Sequence, residues 1–260
     1  MFNSYFFSGQ EMIGKRTFVL ELAALATGKF RTHDVLYIGT ENSDSGRSIS
    51  IDEIRRLKNF AVLSPMGPNY KFAIINDAHL MTEEAQNALL KILEEPNRQV
   101  IMILISSNPD NILSTVSSRC QEMRFPSHRT GVISNLVNSL NLSEDRKRLL
   151  ITLANGRVGL VKQAMVESNL MAEVEKSVKE LLALTRADLE TKLSYAQKLG
   201  DEKNRALLSR KVMYWLLFAR TKTAEPKGYQ ILRNLQILNK VINQPQYNTR
   251  LALENFMLNI

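Results

Sequence analysis

Two glycines and a lysine near the start of the chain have the spacing of a phosphate-binding loop. In SGQEMIGKRTF, residues 8–18, Gly9, Gly14 and Lys15 match the pattern G-x-x-x-x-G-K-[ST]. Glycines let the backbone turn its N–H groups toward an anion, and the lysine reaches the outer phosphates. The pattern then requires a Ser or Thr hydroxyl for Mg²⁺, but Arg16 occupies that position. The motif therefore predicts a phosphate-binding loop without its metal ligand.

The residues that follow the lysine do not replace the missing hydroxyl. Thr17 lies one position further along the expected helix, which rotates it by about 100° from the required direction. Arg16 could contact a phosphate, but a guanidinium cannot bind a cation. The two glycines, Lys15 and Thr17 are therefore interpreted as the first half of a vestigial nucleotide site.

The second half of an ATP site lies at the end of a later strand, where an Asp binds Mg²⁺ and a Glu polarises water. In AIINDAHLM, residues 73–81, these positions hold Asn76 and Asp77. The amide of Asn76 cannot offset the charge of Mg²⁺, and Asp77 is one methylene shorter than Glu. The alternative is that both residues only end the strand and begin a turn. Two separate metal positions are thus altered, which predicts the loss of most electrostatic stabilisation of phosphoryl transfer.

The elements that must position these residues alternate between strand and helix patterns over the first 125 residues. Short apolar runs predict strands at 4–9, 34–40, 71–78, 100–107 and 121–125. Amphipathic stretches predict helices between them at 15–26, 48–63 and 82–95. Strands joined through helices predict a parallel, doubly wound α/β sheet.

After Pro126 the strand patterns end, and helical patterns continue to the C-terminus. We therefore predict three domains. They are an α/β domain at 1–126, a small helical domain at 127–168 and an all-helical C-terminal domain at 169–260.

Composition and simple sequence patterns limit the kinds of protein that this chain can be. The formal net charge of +8 permits contact with nucleic acid or an acidic partner. No apolar stretch is long enough to span a membrane and no signal-peptide pattern is present, so we expect a cytoplasmic protein. The single cysteine, Cys120, excludes an intrachain disulfide, and the three histidines lack metal-ligand spacing. No metal site is expected.

Three motifs after residue 70 resemble the clamp-loader branch of the AAA+ ATPases. They are INDAHLMTEEAQNALLKILEEP at 75–96, ISSNP at 105–109 and SSRC at 117–120. Within that branch, their order and spacing are similar to those of delta-prime subunits of bacterial DNA polymerase III. The resemblance implies an AAA+ domain with a five-stranded parallel sheet, followed by a small helical lid domain and an all-helical collar domain for oligomerisation.

The resemblance also implies a division of labour in which motor subunits of the gamma/tau type bind ATP. In this family the S-R-C motif supplies an arginine finger to the nucleotide of the adjacent subunit. In this sequence the motif is Ser118, Arg119 and Cys120, which implies that Arg119 acts in trans. A planar, permanently charged guanidinium suits this role because it can fork onto phosphate oxygens. The alternative for Arg119 is a solvated surface charge. Cys120 is expected to pack before the last strand.

Departures from the motor-subunit pattern favour a member that does not hydrolyse ATP. Residues 17–75 lack the cysteine cluster that binds zinc in motor subunits. Gly159 falls where those subunits carry an arginine that senses the γ-phosphate, although Arg157 lies two positions away. No cofactor is then required. Binding of nucleotide or phosphate without turnover stays open, because Lys15 and both loop glycines are present.

The partners implied by the resemblance are the gamma/tau motor subunits, the delta subunit and the sliding clamp, with primer–template DNA reached through the complex. Two other functions stay open. One is an ATP-hydrolysing AAA+ motor subunit of the gamma/tau type, which ATP turnover by the isolated chain would reveal. The other is a stand-alone DNA-binding protein, which a steeply salt-dependent affinity for DNA would reveal.

Overall fold

The structure is a computed structural model that describes residues 3–27, 33–39, 48–65, 70–167, 169–201, 205–242 and 247–260. The chain divides into two compact units. The first is Met1–His128 together with Gly156–Gly159, and the second is Arg129–Asn155 together with Leu160–Ile260. The three-domain division expected from the sequence stays a prediction.

The first unit is built on a sheet of five parallel strands within the described residues. The strands are β1 Ser4–Ser8, β2 Val35–Ile38, β3 Lys71–Ile75, β4 Val100–Ser106 and β5 Gln121–Arg124. Their order across the sheet is β2-β3-β4-β1-β5, and every neighbouring pair is parallel. This arrangement confirms the predicted fold class. The carboxyl ends of parallel strands lie at the same end of a sheet. The loops that follow β1 and β3 therefore lie together at that end.

Helices cover both faces of this sheet. They are α1 Lys15–Thr27, α2 Ile51–Val62, α3 Glu83–Glu94 and the single turn α4 Ser114–Ser117. Side chains alternate along a strand, so Phe6 and Phe7 face opposite sides. Phe6 belongs to the buried cluster that contains Leu57 of α2 and Leu89 of α3, whereas Phe7 packs with Val19 of α1. Burial on both faces explains the nearly continuous apolar runs of β3 and β4.

Strand β3 ends at Ile75, three residues before the predicted end at 78. Asp77 adopts a left-handed conformation with φ +53°, which stops the strand and begins a 3-10 turn at Ala78–Leu80. The start of α3 agrees with the sequence pattern. The side chain of Thr82 accepts a hydrogen bond from the Ala85 N–H at 3.2 Å and so caps the helix.

The second unit contains helices and connecting turns, and no strand, within its described residues. Its helices are α5 Thr130–Asn138, α6 Glu144–Ala154, α7 Val158–Val166, α8 Leu170–Leu184, α9 Leu189–Leu199, α10 Arg205–Ala219, α11 Pro226–Ile242 and α12 Thr249–Leu258. The first two residues of α7 belong to the first unit. Trp215 is fully buried, donates from Nε1 to the Ser177 carbonyl at 2.7 Å and stacks on Phe256. The apolar residues around Trp215 are therefore part of the core of this unit. In the described ranges, no helix combines the length and apolarity needed to cross a bilayer.

Candidate functional site

The predicted phosphate loop connects the end of β1 to the start of α1. Two glycines give the loop its shape, since Gly9 has φ +149° and Gly14 has φ +101°, and Met12 between them has φ +61°. Gly9 is also closely packed. A Cβ atom at this position would lie 2.5 Å from the carbonyl oxygen of Phe125. The glycines are therefore required by the conformation of the loop and by its contact with the residue after β5.

The ammonium group of Lys15 is turned back onto the loop. Its Nζ donates hydrogen bonds to the carbonyl oxygens of Gly9 and Gln10, both at 2.6 Å, and only 6% of the residue is exposed. Burial lowers the pKa of Lys15 to about 8, although the carboxylates of Glu11 and Asp77 act in the opposite direction. The N–H groups used in these bonds are not available to a phosphate in this conformation.

The other side of the loop is contacted by His128, before α5, and by Gly159, at the start of α7. The Gly159 N–H donates to the Met12 carbonyl at 2.6 Å, and Nε2 of His128 lies 3.0 Å from the Ile13 carbonyl oxygen. A Cβ atom at Gly159 would lie 2.7 Å from that same Met12 oxygen. The loop backbone thus occupies the space in which a sensor arginine at this position would have to begin.

The lowered pKa of Lys15 predicts a rise in stability with pH. Between pH 8 and 10.5 the unfolded chain keeps a proton that folded Lys15 has released, so the free energy of unfolding increases with pH. From pH 7 to pH 9 this increase amounts to about 1 kcal/mol, for a pKa of about 8 in the folded chain and 10.5 when unperturbed. Urea unfolding of the wild type and of Lys15→Met at both pH values should show a larger rise in the wild type. Burial also lowers the pKa of Lys71, so both proteins share any rise which that residue contributes.

The control is Lys58→Met, which removes an exposed lysine of α2 and should leave the rise unchanged. The pH range ends at 9 because burial raises the pKa of the Cys120 thiol to about 11. Above the ordinary pKa of a thiol, folded Cys120 keeps a proton that the unfolded chain loses, which lowers stability. An equal rise in Lys15→Met and in the wild type would contradict the assignment to Lys15.

The two residues after Lys15 face away from the loop interior. Arg16 and Thr17 are exposed, whereas Lys15 is buried. The guanidinium of Arg16 lies over the ring of Tyr37 in β2, 5.1 Å from its centroid. Because Arg16 and Thr17 are both exposed, the expected rotation of Thr17 away from the position of a metal ligand stays a prediction.

The end of β3 brings Asn76 and Asp77 to the same edge as the loop. The side chain of Asn76 is buried, and its Nδ2 donates to Oδ2 of Asp77 at 2.8 Å. Because β1 and β3 are parallel strands of one sheet, the two predicted halves of the site lie at the same end of it. The carboxylate of Asp77 partly offsets the lowering of the Lys15 pKa by burial. The amide that stands where a metal-binding acid belongs is therefore occupied by a hydrogen bond to its neighbour.

Two further residues near this edge were not predicted as part of the site. His79 has its pKa lowered chiefly by burial, and it interacts electrostatically with Glu11 and Lys15. Its Nε2 lies 3.5 Å from the hydroxyl of Ser107, which follows β4. The only sequence signal for His79 is its position two residues after Asp77. A neutral imidazole at this position supplies no positive charge that could attract an anion.

The S-R-C motif lies between α4 and β5. Arg119 is partly exposed, with 37% of its side chain accessible. Its Nη2 forms an ion pair with Oε1 of Glu94 at 2.7 Å, and its Nη1 donates to the Thr115 carbonyl at 2.9 Å. From the sequence alone, Glu94 and Glu95 are interpreted as a solvated helix end, and both are exposed. In addition, Glu94 contacts the one arginine that the motif singles out.

The other two residues of the motif have local roles. Ser118 donates from its hydroxyl to the Thr115 carbonyl at 3.2 Å. Cys120 is buried in the cluster that covers one face of the sheet. Because burial raises the pKa of its thiol to about 11, the sulfur is neutral near pH 7 and is a poor nucleophile. Packing is thus the observed role of Cys120.

A buried glutamine fixes the segment that leads to this motif. Gln86 of α3 is 4% exposed; its Oε1 accepts from the Leu113 N–H at 2.8 Å, and its Nε2 donates to the Asn111 carbonyl at 3.1 Å. It shares the buried face of α3 with Leu89 and Leu93. A polar residue within an apolar helical stripe is the signal that could have identified it.

Comparison with known proteins relates the chain to subunits of bacterial DNA polymerase III. Residues 25–129 match the family described as DNA polymerase III, delta subunit. The chain is 28% identical over 187 residues to DNA polymerase III subunit delta' of Bacillus subtilis (strain 168), covering 72% of this chain and 52% of that protein. It is 30% identical over 141 residues to subunit delta' of Pseudomonas aeruginosa, covering 48% of this chain and 43% of that protein.

A third relative is subunit tau of Bacillus subtilis, with 30% identity over 145 residues that cover 52% of this chain and 26% of that protein. The chain thus spans between about a quarter and about half of the length of these relatives. Among solved structures, a DNA polymerase III gamma subunit-related protein from Thermotoga maritima superposes with a TM-score of 0.58 and 20% identity, covering 98% of this chain and 93% of that chain. At this identity the superposition establishes the fold.

Proposed function

We propose that this chain is a delta-prime-like member of the clamp-loader family of bacterial DNA polymerase III subunits and that it works in such a loader without hydrolysing ATP itself. In this proposal Arg119 acts on the nucleotide of a neighbouring motor subunit. The chain supports the assembly of the ring while the motor subunits supply the energy of ATP.

The observation that carries the proposal is the closed state of the loop. Lys15 is bonded to the carbonyls of Gly9 and Gln10, and the Met12 carbonyl accepts from the Gly159 N–H. A phosphate loop works by pointing free N–H donors and a free ammonium at the anion. Here the ammonium satisfies the loop's own backbone instead.

The residues present do not fit a magnesium-bound triphosphate. Arg16 replaces the hydroxyl that would bind Mg²⁺ and packs over Tyr37. Asn76 replaces the acid and donates its amide hydrogen to Asp77. Mg²⁺ takes oxygen ligands in near-ideal octahedral geometry, which a guanidinium cannot supply. No step of ATP cleavage is therefore assigned to this chain.

The position of Arg119 supports the second half of the proposal. The residue follows α4, a single turn at the surface, and its guanidinium is partly exposed. Fixed positive charge that reaches a transferring phosphoryl group stabilises the charge that develops in the transition state. Arg119 would supply that charge from outside the neighbour's own site.

The proposed partners follow from the family. They are the gamma/tau motor subunits, the delta subunit and the sliding clamp, in the cytoplasm, with primer–template DNA contacted through the assembled loader. The net charge of +8 is compatible with a position near DNA.

The test is Mg²⁺-dependent ATP turnover by the isolated chain, beside a purified motor subunit as the positive control. We expect turnover no greater than that of the Lys15→Ala variant, together with co-purification of the chain with motor and delta subunits. Strong turnover that Lys15→Ala abolishes would support the alternative, an ATP-hydrolysing motor subunit of the gamma/tau type. Failure to associate with the motor subunit would contradict the proposed assembly role.

A further inference from the structure

Arg119 is held by two groups of its own chain. Its Nη2 contacts Glu94 at 2.7 Å and its Nη1 donates to the Thr115 carbonyl at 2.9 Å. Both terminal nitrogens of the guanidinium are therefore engaged before any partner is present. The pairing is charge-assisted only on the Glu94 side, since the Thr115 contact is to a neutral carbonyl.

The contact between Glu94 and Arg119 is independent of the contacts that hold the preceding segment of the chain in place. Gln86 anchors the preceding segment through Leu113 and Asn111, and Gln86 is buried. The ion pair, in contrast, lies at the surface, with 37% of the Arg119 side chain and 49% of the Glu94 side chain exposed. The placement of α4 therefore does not depend on Glu94.

A phosphate and the carboxylate of Glu94 compete for the same guanidinium. Each is an anion that prefers to bind the N–H fork of an arginine. While Glu94 is paired, its negative charge offsets part of the positive charge that Arg119 would present to an approaching phosphate. Contact with a neighbour's nucleotide thus requires the ion pair to loosen or break.

We propose that Glu94 is a positioning residue that acts as a latch, keeping Arg119 turned toward its own chain until a neighbour's phosphates displace the carboxylate. This inference rests on the proposed role of Arg119. The Glu94–Arg119 ion pair is weak because both side chains are exposed, and exposed ion pairs are broken easily in water. It therefore restrains turnover in the resting complex without preventing it.

The main test compares Glu94→Gln with Glu95→Gln in the reconstituted loader. Glu95 is the exposed neighbour and provides a matched control for the loss of one carboxylate. ATP turnover without DNA should rise about two- to five-fold in Glu94→Gln, the range expected for an exposed pair. Glu95→Gln should equal the wild type, and Glu94→Asp should lie between the wild type and Glu94→Gln. In an Arg119→Ala background, Glu94→Gln should have no further effect.

A second measurement on the isolated chain is independent of ATP turnover. Phenylglyoxal modification of Arg119, followed by mass spectrometry of the peptide, should be faster in Glu94→Gln than in the wild type and in Glu95→Gln. Equal rates would overturn the pairing itself. Faster modification with unchanged turnover would overturn the latch but leave the finger intact, whereas unchanged turnover in Arg119→Ala would overturn the proposed function and the latch that rests on it.

Discussion

Replacing Arg119 with alanine should lower the rate of ATP cleavage at the motor site that it reaches by about 10³–10⁵-fold, the effect of an arginine finger in other phosphoryl-transfer systems. The guanidinium contributes charge and two parallel donors that act mainly in the transition state. The loss should therefore fall on kcat more than on the affinity for ATP. DNA-dependent turnover of the reconstituted loader is the measurement, and the other motor sites set the residual rate.

The substitution is expected to leave this chain folded and able to join its partners. Arg119 is partly exposed, and its ion pair with Glu94 lies at the surface, where such pairs contribute about 0–1 kcal/mol. Arg119→Lys is a stricter variant, because it keeps the charge but loses the planar fork, and it should restore little activity. Arg98→Ala removes another exposed arginine and should behave as the wild type. Normal turnover and clamp loading in Arg119→Ala would rule out the finger.

Patterns of apolar residues were sufficient to predict the sheet. The runs over 71–78 and 100–107 correspond to β3 and β4, which are buried on both faces, so no alternation was needed to recognise them. The end of β3 was predicted too late because the run was extended across the polar pair Asn76 and Asp77 to Ala78. The left-handed Asp77 ends the strand, and hydrophobicity alone does not report a backbone angle.

The phosphate loop was recognisable from its residue types, but its internal bonds were not. The spacing of Gly9, Gly14 and Lys15 predicts a loop between a strand and a helix, as observed. Where the ammonium of Lys15 points depends on side-chain torsions and on the loop carbonyls near it. Those quantities arise from tertiary structure, and so the closure of the loop on itself could not be predicted.

The partner of Arg119 was missed for a related reason. Adjacent residues on a helix point in different directions, so Glu94 and Glu95 were not expected to act as a pair and were interpreted as a solvated helix end. Only the packing of α3 beside α4 decides which of the two carboxylates meets the arginine, 25 residues further along the chain. Long-range pairs between polar surface residues leave no periodic signal in a single sequence.

Gly159→Ala is the second substitution with a large expected effect, a loss of about 2 kcal/mol in the free energy of unfolding. Alanine normally stabilises a helix relative to glycine by roughly 1 kcal/mol, so a loss here would reverse the usual sign. The reason is steric. The added Cβ would lie 2.7 Å from the carbonyl oxygen and 2.9 Å from the Cα of Met12, and backbone atoms cannot move aside as a flexible side chain can.

The chain offers a matched control for this substitution. Gly131 is the second residue of α5, as Gly159 is the second residue of α7, and a Cβ at Gly131 would meet no atom within 4 Å. Gly131→Ala should therefore stabilise the protein by up to about 1 kcal/mol. Urea unfolding midpoints of the two variants, compared at equal m-values, measure the difference.

The outcome bears directly on the proposal that this chain does not hydrolyse ATP. If even one methyl group at position 159 forces the loop away, then an arginine there could not coexist with the Gly159–Met12 hydrogen bond of 2.6 Å. The absence of the sensor and the closure of the loop would then be one structural change rather than two. Equal stabilisation by Gly159→Ala and Gly131→Ala would show instead that the loop yields readily, and an open, nucleotide-binding conformation would be within reach.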